Sequence, residues 1–173
     1  MRSLILFGGG KTEVLRYNDL YSYNIDQTMW YKLVNKVGAE DISARYYHTA
    51  VWHETEDAMI VFGGRGTGME DFNDTFVYYF RDKMWCKLPV MGALPAPRCA
   101  HTSVMLQNKM IVLGGTMGTQ SLCDLWILYC NPSNTSTKHA LNQYYWQQIT
   151  WDMTCVQRPL SEKQNWTENN FTT

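Results

Sequence analysis

The run Met59-Ile60-Val61-Phe62-Gly63-Gly64 decides the fold, because the chain carries it three times. Its counterparts are Leu4-Ile5-Leu6-Phe7-Gly8-Gly9 and Met110-Ile111-Val112-Leu113-Gly114-Gly115. A second matched segment follows each copy: Asn18-Asp19-Leu20-Tyr21-Ser22-Tyr23, Asn73-Asp74-Thr75-Phe76-Val77-Tyr78 and Cys123-Asp124-Leu125-Trp126-Ile127-Leu128. A third opens on tryptophan, at Trp30-Tyr31-Lys32-Leu33, Trp85-Cys86-Lys87-Leu88 and Trp146-Gln147-Gln148-Ile149. Ahead of the second and third glycine pairs stand Arg45-Tyr46-Tyr47-His48-Thr49 and Arg98-Cys99-Ala100-His101-Thr102. The two arginines are 53 residues apart. A period of this length, with four segments in each unit, marks a repeat architecture.

Each segment is short, rich in β-branched or aromatic residues, and bounded by Gly, Pro, Asn or Asp, which is the pattern of strands divided by turns. The glycine-pair segments are apolar at every position, so both faces of all three strands are predicted to be buried. In the second set, Tyr21 and Tyr23, Phe76 and Tyr78, and Trp126 and Leu128 alternate with smaller residues. Alternate strand residues share a face, so these rings are predicted to line one side of each sheet. A four-stranded unit cannot bury two faces alone, and the units must stack.

With these motifs in view the chain resembles a run of kelch repeats: Arg-x-x-His-Thr, an apolar strand closing on Gly-Gly, a strand opening with Asn-Asp, and a closing Trp. The Leu94-Pro95-Ala96-Pro97-Arg98 stretch is similar to the longer-period variety found in Rab9-effector-like and host-cell-factor-like proteins. The resemblance covers residues 3 to 158 and implies an all-β partial β-propeller of about three four-stranded antiparallel blades, the first lacking its first strand. The kelch-repeat region is expected over 1–158, with blades near 1–34, 45–90 and 98–151. The polar stretch 159–173 is expected to be disordered. At Arg158 the repeat arginine is in register, but Pro159-Leu160-Ser161 stands where the family pattern calls for His-Thr. A propeller closes with about four to eight blades. Three readings therefore stay open: a fragment or truncated form of a longer kelch protein, put first; a ring completed by other copies or another kelch chain; and an open stack.

Composition excludes several classes. Lys and Arg total 15 against 16 Asp and Glu, a net charge of −1, whereas a nucleic-acid binder normally carries a basic excess to neutralise phosphates. No apolar run approaches the ~18 to 20 residues of a membrane span. The N-terminal apolar run ends at Phe7, short of the ~7 to 15 residues of a secretory signal, so the compartment is expected by default to be cytoplasmic. Five cysteines without CxxC spacing make neither a disulfide framework nor a zinc site. No metal and no cofactor are expected.

Residues repeated once per unit are read as architecture: Gly8, Gly9, Trp30, Arg45, His48, Gly63, Gly64, Trp85, Arg98, His101, Gly114, Gly115 and Trp146. Gly8-Gly9-Gly10-Lys11-Thr12 lacks the upstream glycine of a phosphate loop and feeds no helix, so it is read as a turn. No catalytic residues are assigned. In an up-and-down blade the loops joining strands two to three and four to one emerge at one end. They differ between units while the strands do not, as expected of a rigid scaffold presenting variable contacts. Lys11, Glu13, Arg16, Arg65, Glu70 and Asp71 are the charged candidates for partner contact at that end. The implied function is a non-catalytic protein–protein interaction scaffold, with an unidentified protein as partner. The alternative is a fragment of a galactose-oxidase-like copper enzyme.

Overall fold

The structure, a computed structural model, describes residues 2–11, 15–36, 40–90, 92–130 and 144–150. The insertion at 131–143, the tail 159–173, Arg158, Cys155 and Glu13 lie outside the described residues.

Three antiparallel sheets follow one another along the chain. The first contains β1 (Ser3–Phe7), β2 (Leu20–Asn24) and β3 (Met29–Leu33), in chain order. The second contains β4 (Thr49–His53), β5 (Ala58–Phe62), β6 (Thr75–Tyr79) and β7 (Met84–Lys87), again in chain order. The third contains β8 (Thr102–Leu106), β9 (Lys109–Leu113), β12 (Leu125–Cys130) and β13 (Tyr144–Ile149). A two-residue hairpin, β10 (Thr116–Met117) with β11 (Gln120–Ser121), projects between β9 and β12. The described residues are all-β, in three successive antiparallel sheets, the first of three strands and the others of four, as the resemblance leads one to expect of propeller blades.

The hairpins at the end opposite the glycine pairs turn through one left-handed residue each: Thr28, Asp57, Lys83 and Gln107. None is a glycine, so each hairpin stores a little backbone strain that the flanking ladder holds in place.

Side-chain alternation then sorts the core. Ala58, Ile60 and Phe62 of β5 face the third blade and pack with Met110, Val112, Trp126, Leu128 and Trp146. Met59 and Val61 face the first blade and join Phe7, Leu20, Phe76, Tyr78 and Trp85. Every residue of β5 is buried as a result. Fully burying an aliphatic or aromatic side chain contributes on the order of 1.5–3 kcal/mol, so the two seams hold the stack together.

One contact recurs at each seam. The tryptophan of a later blade lies on the aromatic residue that precedes the glycine pair of the blade before it. Trp85 meets Phe7 with centroids 4.9 Å apart, and Trp146 meets Phe62 at 4.7 Å. The strand-six stripe behaves likewise, with Phe76 and Tyr78 turned to the first blade and Trp126 and Leu128 to the second.

Two expectations require correction. Of the three strands that end in a glycine pair, only β5 is buried on both faces: Leu4 and Leu6 of β1, and Leu113 of β9, are exposed. Trp30 is not a buried packing residue either, being 55% exposed where Trp85 is 3% and Trp146 is 4%. The cause is shared. Among the described residues no sheet lies against the outer face of the first blade or of the third, so Leu4, Leu6, Trp30 and Leu113 are not covered by a neighbouring blade.

Candidate interaction surface at the loop end

The glycine pairs, the β1–β2 and β5–β6 loops, the β10–β11 hairpin and the segments entering β4 and β8 gather at one end of the stack. Their backbone is tied across blades. Gly9 N–H donates to Arg45 O at 2.8 Å, and Gly64 N–H to Arg98 O at 2.8 Å. The approach at Gly64 is close: a Cβ there would lie 2.7 Å from His48 Cβ, and its φ of +98° is left-handed. A side chain would be strained and would collide, which is why the second residue of the doublet is glycine.

The repeat arginines clamp this end from within. Arg45 is fully buried, donates to Gly63 O at 3.0 Å, and makes a bidentate pair with Asp74 at 2.5 and 3.1 Å. Arg98 repeats the arrangement with Gly114 O at 2.9 Å and Asp124 at 2.7 and 2.8 Å. The Arg98 hydrogen bonds, aided by Trp126 Nε1–H and opposed by burial, hold the Asp124 carboxyl below its usual range. The planar guanidinium fork suits this two-oxygen, one-carbonyl geometry where an ammonium would not. The first blade has the acceptor Asp19, which pairs with the exposed Lys32 at 2.5 Å.

His48 and His101 stand at the seams. His48 meets Phe7 edge-on with centroids 5.2 Å apart, and His101 meets Phe62 at 5.3 Å. His101 Nε2 shares a 2.8 Å hydrogen bond with Thr49 Oγ1. Burial first, and then the nearby Arg45, pulls the His48 pKa down to about 4. Burial, Arg98 and His48 do the same to His101, also to about 4. Both rings are neutral at neutral pH and sit against apolar walls, a structural use of imidazole. Among the described residues no three His, Cys, Asp or Glu side chains converge as a metal set would.

The charged loop residues divide into two kinds. Arg65 and Asp71 bind each other at 2.7 and 3.0 Å, and Asp71 Oδ2 accepts from Gly118 N–H at 2.7 Å. Arg65 also reaches Gly118 O at 3.4 Å, so this pair latches the second blade's loop to the β10–β11 hairpin of the third. Burial works to raise the Asp71 carboxyl, but hydrogen bonds from Arg65, Gly118 N–H and Cys99 outweigh it and hold the group below its usual range. Arg16 is buried with its guanidinium 3.6 Å above the Tyr46 ring. Lys11 and Glu70 are exposed. Glu70 folds over Gly66 and Gly68, where any Cβ would collide with its carboxylate.

Repeat comparison gave no sign of the apolar group around Tyr46. The Tyr46 ring lies 4.4 Å from that of Tyr47 and its hydroxyl is 3.9 Å from Met69 Sδ. Its backbone pairs with Arg65 in both directions, at 3.0 and 2.8 Å. Tyr47, Met69, Leu15 and Met117 are all exposed. Tyr47 corresponds to Ala100 and Leu15 to Glu70, so periodicity carries no signal for either.

A cleft of about 330 Å³ opens between the first two blades, near Asp19, Lys32, Tyr78 and Trp85. Several of its polar groups are engaged: Asn18 Nδ2–H donates to Ile42 O, Tyr78 O–H to Val34 O, and Trp85 N–H to Asn35 Oδ1. It is a cleft in the seam between the two blades.

A family profile, the KLHDC2/KLHL20/DRC7 Kelch-repeats domain, matches residues 1–158. The chain belongs to the kelch-repeat family. Among curated kelch relatives it is similar to the leucine-zipper-like transcriptional regulator 1 homolog of Drosophila melanogaster, 28% identical over 138 residues, which are 76% of this chain and 14% of that protein. It is 31% identical over 145 residues to mouse multiple epidermal growth factor-like domains protein 8, covering 82% of this chain and 5% of that protein. It is also 28% identical over 113 residues to dynein regulatory complex subunit 7 of Chlamydomonas reinhardtii, 65% of this chain and 10% of that one. The kelch chain thus spans a small part of each of these relatives.

Proposed function

We propose that this kelch stack is a non-catalytic protein-interaction module whose contact surface is the loop end, centred on Tyr47 and Met69. One observation carries the reading: exposed Tyr, Met and Leu side chains cluster there on a backbone that the Arg45, Arg98 and Arg65 clamps hold rigid. Interfaces are enriched in Tyr, Met and Arg, and hot spots favour pre-organised side chains with little ordering entropy to lose. The names of two relatives, a transcriptional regulator homolog and a dynein regulatory complex subunit, fit a module that binds other proteins. Lys11 and Glu70 add opposite charges at the rim, suited to setting orientation and on-rate.

The test places a photo-crosslinking residue at Tyr47 and, separately, at Gln107 in the β8–β9 turn at the opposite end. Expected are discrete protein adducts from position 47, competed by unlabelled protein and lost in a Met69→Ser background. Adducts from position 107 alone, or an identical set from both, would place the contact surface elsewhere.

A further inference from the structure

The frame of the arginine clamp is built three times. In every blade the N–H of the first doublet glycine donates to the carbonyl of the repeat aspartate: Gly8 to Asp19 O at 3.0 Å, Gly63 to Asp74 O at 3.2 Å, and Gly114 to Asp124 O at 3.0 Å. The carbonyl of the second glycine accepts from the residue two before that aspartate, from Tyr17 N–H at 2.9 Å, Phe72 N–H at 2.8 Å and Leu122 N–H at 2.8 Å. In the second and third blades this frame aims one glycine carbonyl and both carboxylate oxygens at a guanidinium. Rings complete the second blade's seat, where Arg45 Cζ lies 4.3 Å from the centre of Phe72 and 5.5 Å from that of Phe76.

The first blade has Gly8, Asp19, Tyr17 and Tyr21 in the places of Gly63, Asp74, Phe72 and Phe76. A lysine engages this seat in part. Lys32 Nζ is 2.5 Å from one oxygen of Asp19 and 5.8 Å from the centre of Tyr21, on a side chain that is largely exposed. An ammonium is a compact point charge and does not present the flat fork that the other two seats hold. Asp19, Tyr17 and Tyr21 are each half-buried, so an incoming side chain can reach them.

We infer that Asp19, the Gly8 carbonyl, Tyr17 and Tyr21 form a guanidinium site that takes an arginine side chain of a partner polypeptide and displaces Lys32. The carboxylate calls for a cation, and its frame is one that this chain twice fits to arginine. A guanidinium there gives Asp19 two parallel N–H···O bonds, gives Gly8 O a third, and lays its plane on the tyrosine rings. The site uses none of the residues of the Tyr47 and Met69 surface.

The test titrates the 173-residue chain with N-acetyl-arginine amide, its lysine analogue and its neutral citrulline analogue, read by NMR at Tyr17, Tyr21 and Lys32. Expected is saturable arginine binding on the order of millimolar, as one charged bidentate contact at a half-exposed site allows. Lysine should bind roughly tenfold more weakly, since it forgoes at least one charged hydrogen bond. Citrulline should not bind. The Lys32 pKa, raised by its hydrogen bond to Asp19, should fall towards the ordinary lysine value as arginine takes its place. Asp19→Asn should abolish binding with the circular dichroism unchanged, and Lys32→Met should tighten it by removing the competitor. A capped pentapeptide with one central arginine among glycines should bind at least as well as the free amide. Equal affinity for lysine, shifts that do not saturate, a Lys32 pKa that stays put, indifference to Asp19→Asn, or an arginine that binds free but not within the peptide would each overturn the assignment.

Discussion

Arg98→Met tests the clamp that defines each complete blade. The substitution keeps the length of the side chain and removes its four hydrogen bonds, to Ala96 O, Gly114 O and both oxygens of Asp124. Breaking a buried ion pair from one side costs about 3–5 kcal/mol, because the remaining charge is left without its partner. Asp124 keeps Trp126 Nε1–H at 2.7 Å and is partly open to water, so the lower end of that range is expected. Small domains are stable by only about 5–15 kcal/mol, and a loss near 3 kcal/mol should lower the urea midpoint by roughly 1–3 M at ordinary m-values. The assay is equilibrium urea unfolding by circular dichroism, with Arg98→Met, Asp124→Asn and the double variant forming a cycle. The double variant should recover a good part of the loss, because no unpaired charge remains. Asp19→Asn serves as the control, since its pair with Lys32 is exposed, and it should leave the midpoint close to where it was. An Arg98→Met cost below about 1 kcal/mol, in a protein where buried pairs behave as described, would refute the clamp; so would an Asp19→Asn cost equal to it.

Three further outcomes are expected. His48 and His101 have folded pKa values near 4, below the ordinary value of 6.5, so the unfolded chain binds more protons between those limits. Stability should therefore be flat above pH 6.5, fall as pH drops towards 4, and lose on the order of 1–3 kcal/mol per ring; His48→Phe with His101→Phe should flatten that slope in urea titrations. Gly64→Ala meets both a left-handed φ and the His48 Cβ, and should cost about 3 kcal/mol, whereas Gly92→Ala meets open space and only the φ term of about 1 kcal/mol; thermal unfolding separates the two. Trp85→Ala empties the contact with Phe7 and should cost about 3–5 kcal/mol, with faster amide exchange in the first blade as the local readout.

The blade pattern was legible because a propeller repeats its own solution. The glycine pairs, Arg45 with Arg98, His48 with His101, and the tryptophans recur from unit to unit at spacings of 51 to 61 residues. What the repeat could not convey is which faces are covered. Trp30 and Trp85 look alike in sequence, and only the presence of a blade beside Trp85 buries one of them. The Arg65–Asp71 latch was also hidden, since it depends on the β10–β11 hairpin of another blade presenting Gly118. A weak signal existed: opposite charges six residues apart across a loop with Gly66 and Gly68. Tyr47 had none, because a residue specific to one blade is invisible to self-comparison.

The clamp and the seam divide the labour by range. The Arg98 side chain bonds Asp124 and carbonyls of its own unit, while Trp146 lays its ring on Phe62 of the unit before it. Excising one whole period, the 53 residues from Arg45 to Pro97, would bring Arg98 to the place of Arg45 and lay Trp146 over Phe7. The clamp and the tryptophan contact would each find a partner of the same kind, while the Gly118 latch would lose Asp71. Excising half a period would strand them all, so unequal crossing-over in such a gene is expected to leave viable products that differ by full periods.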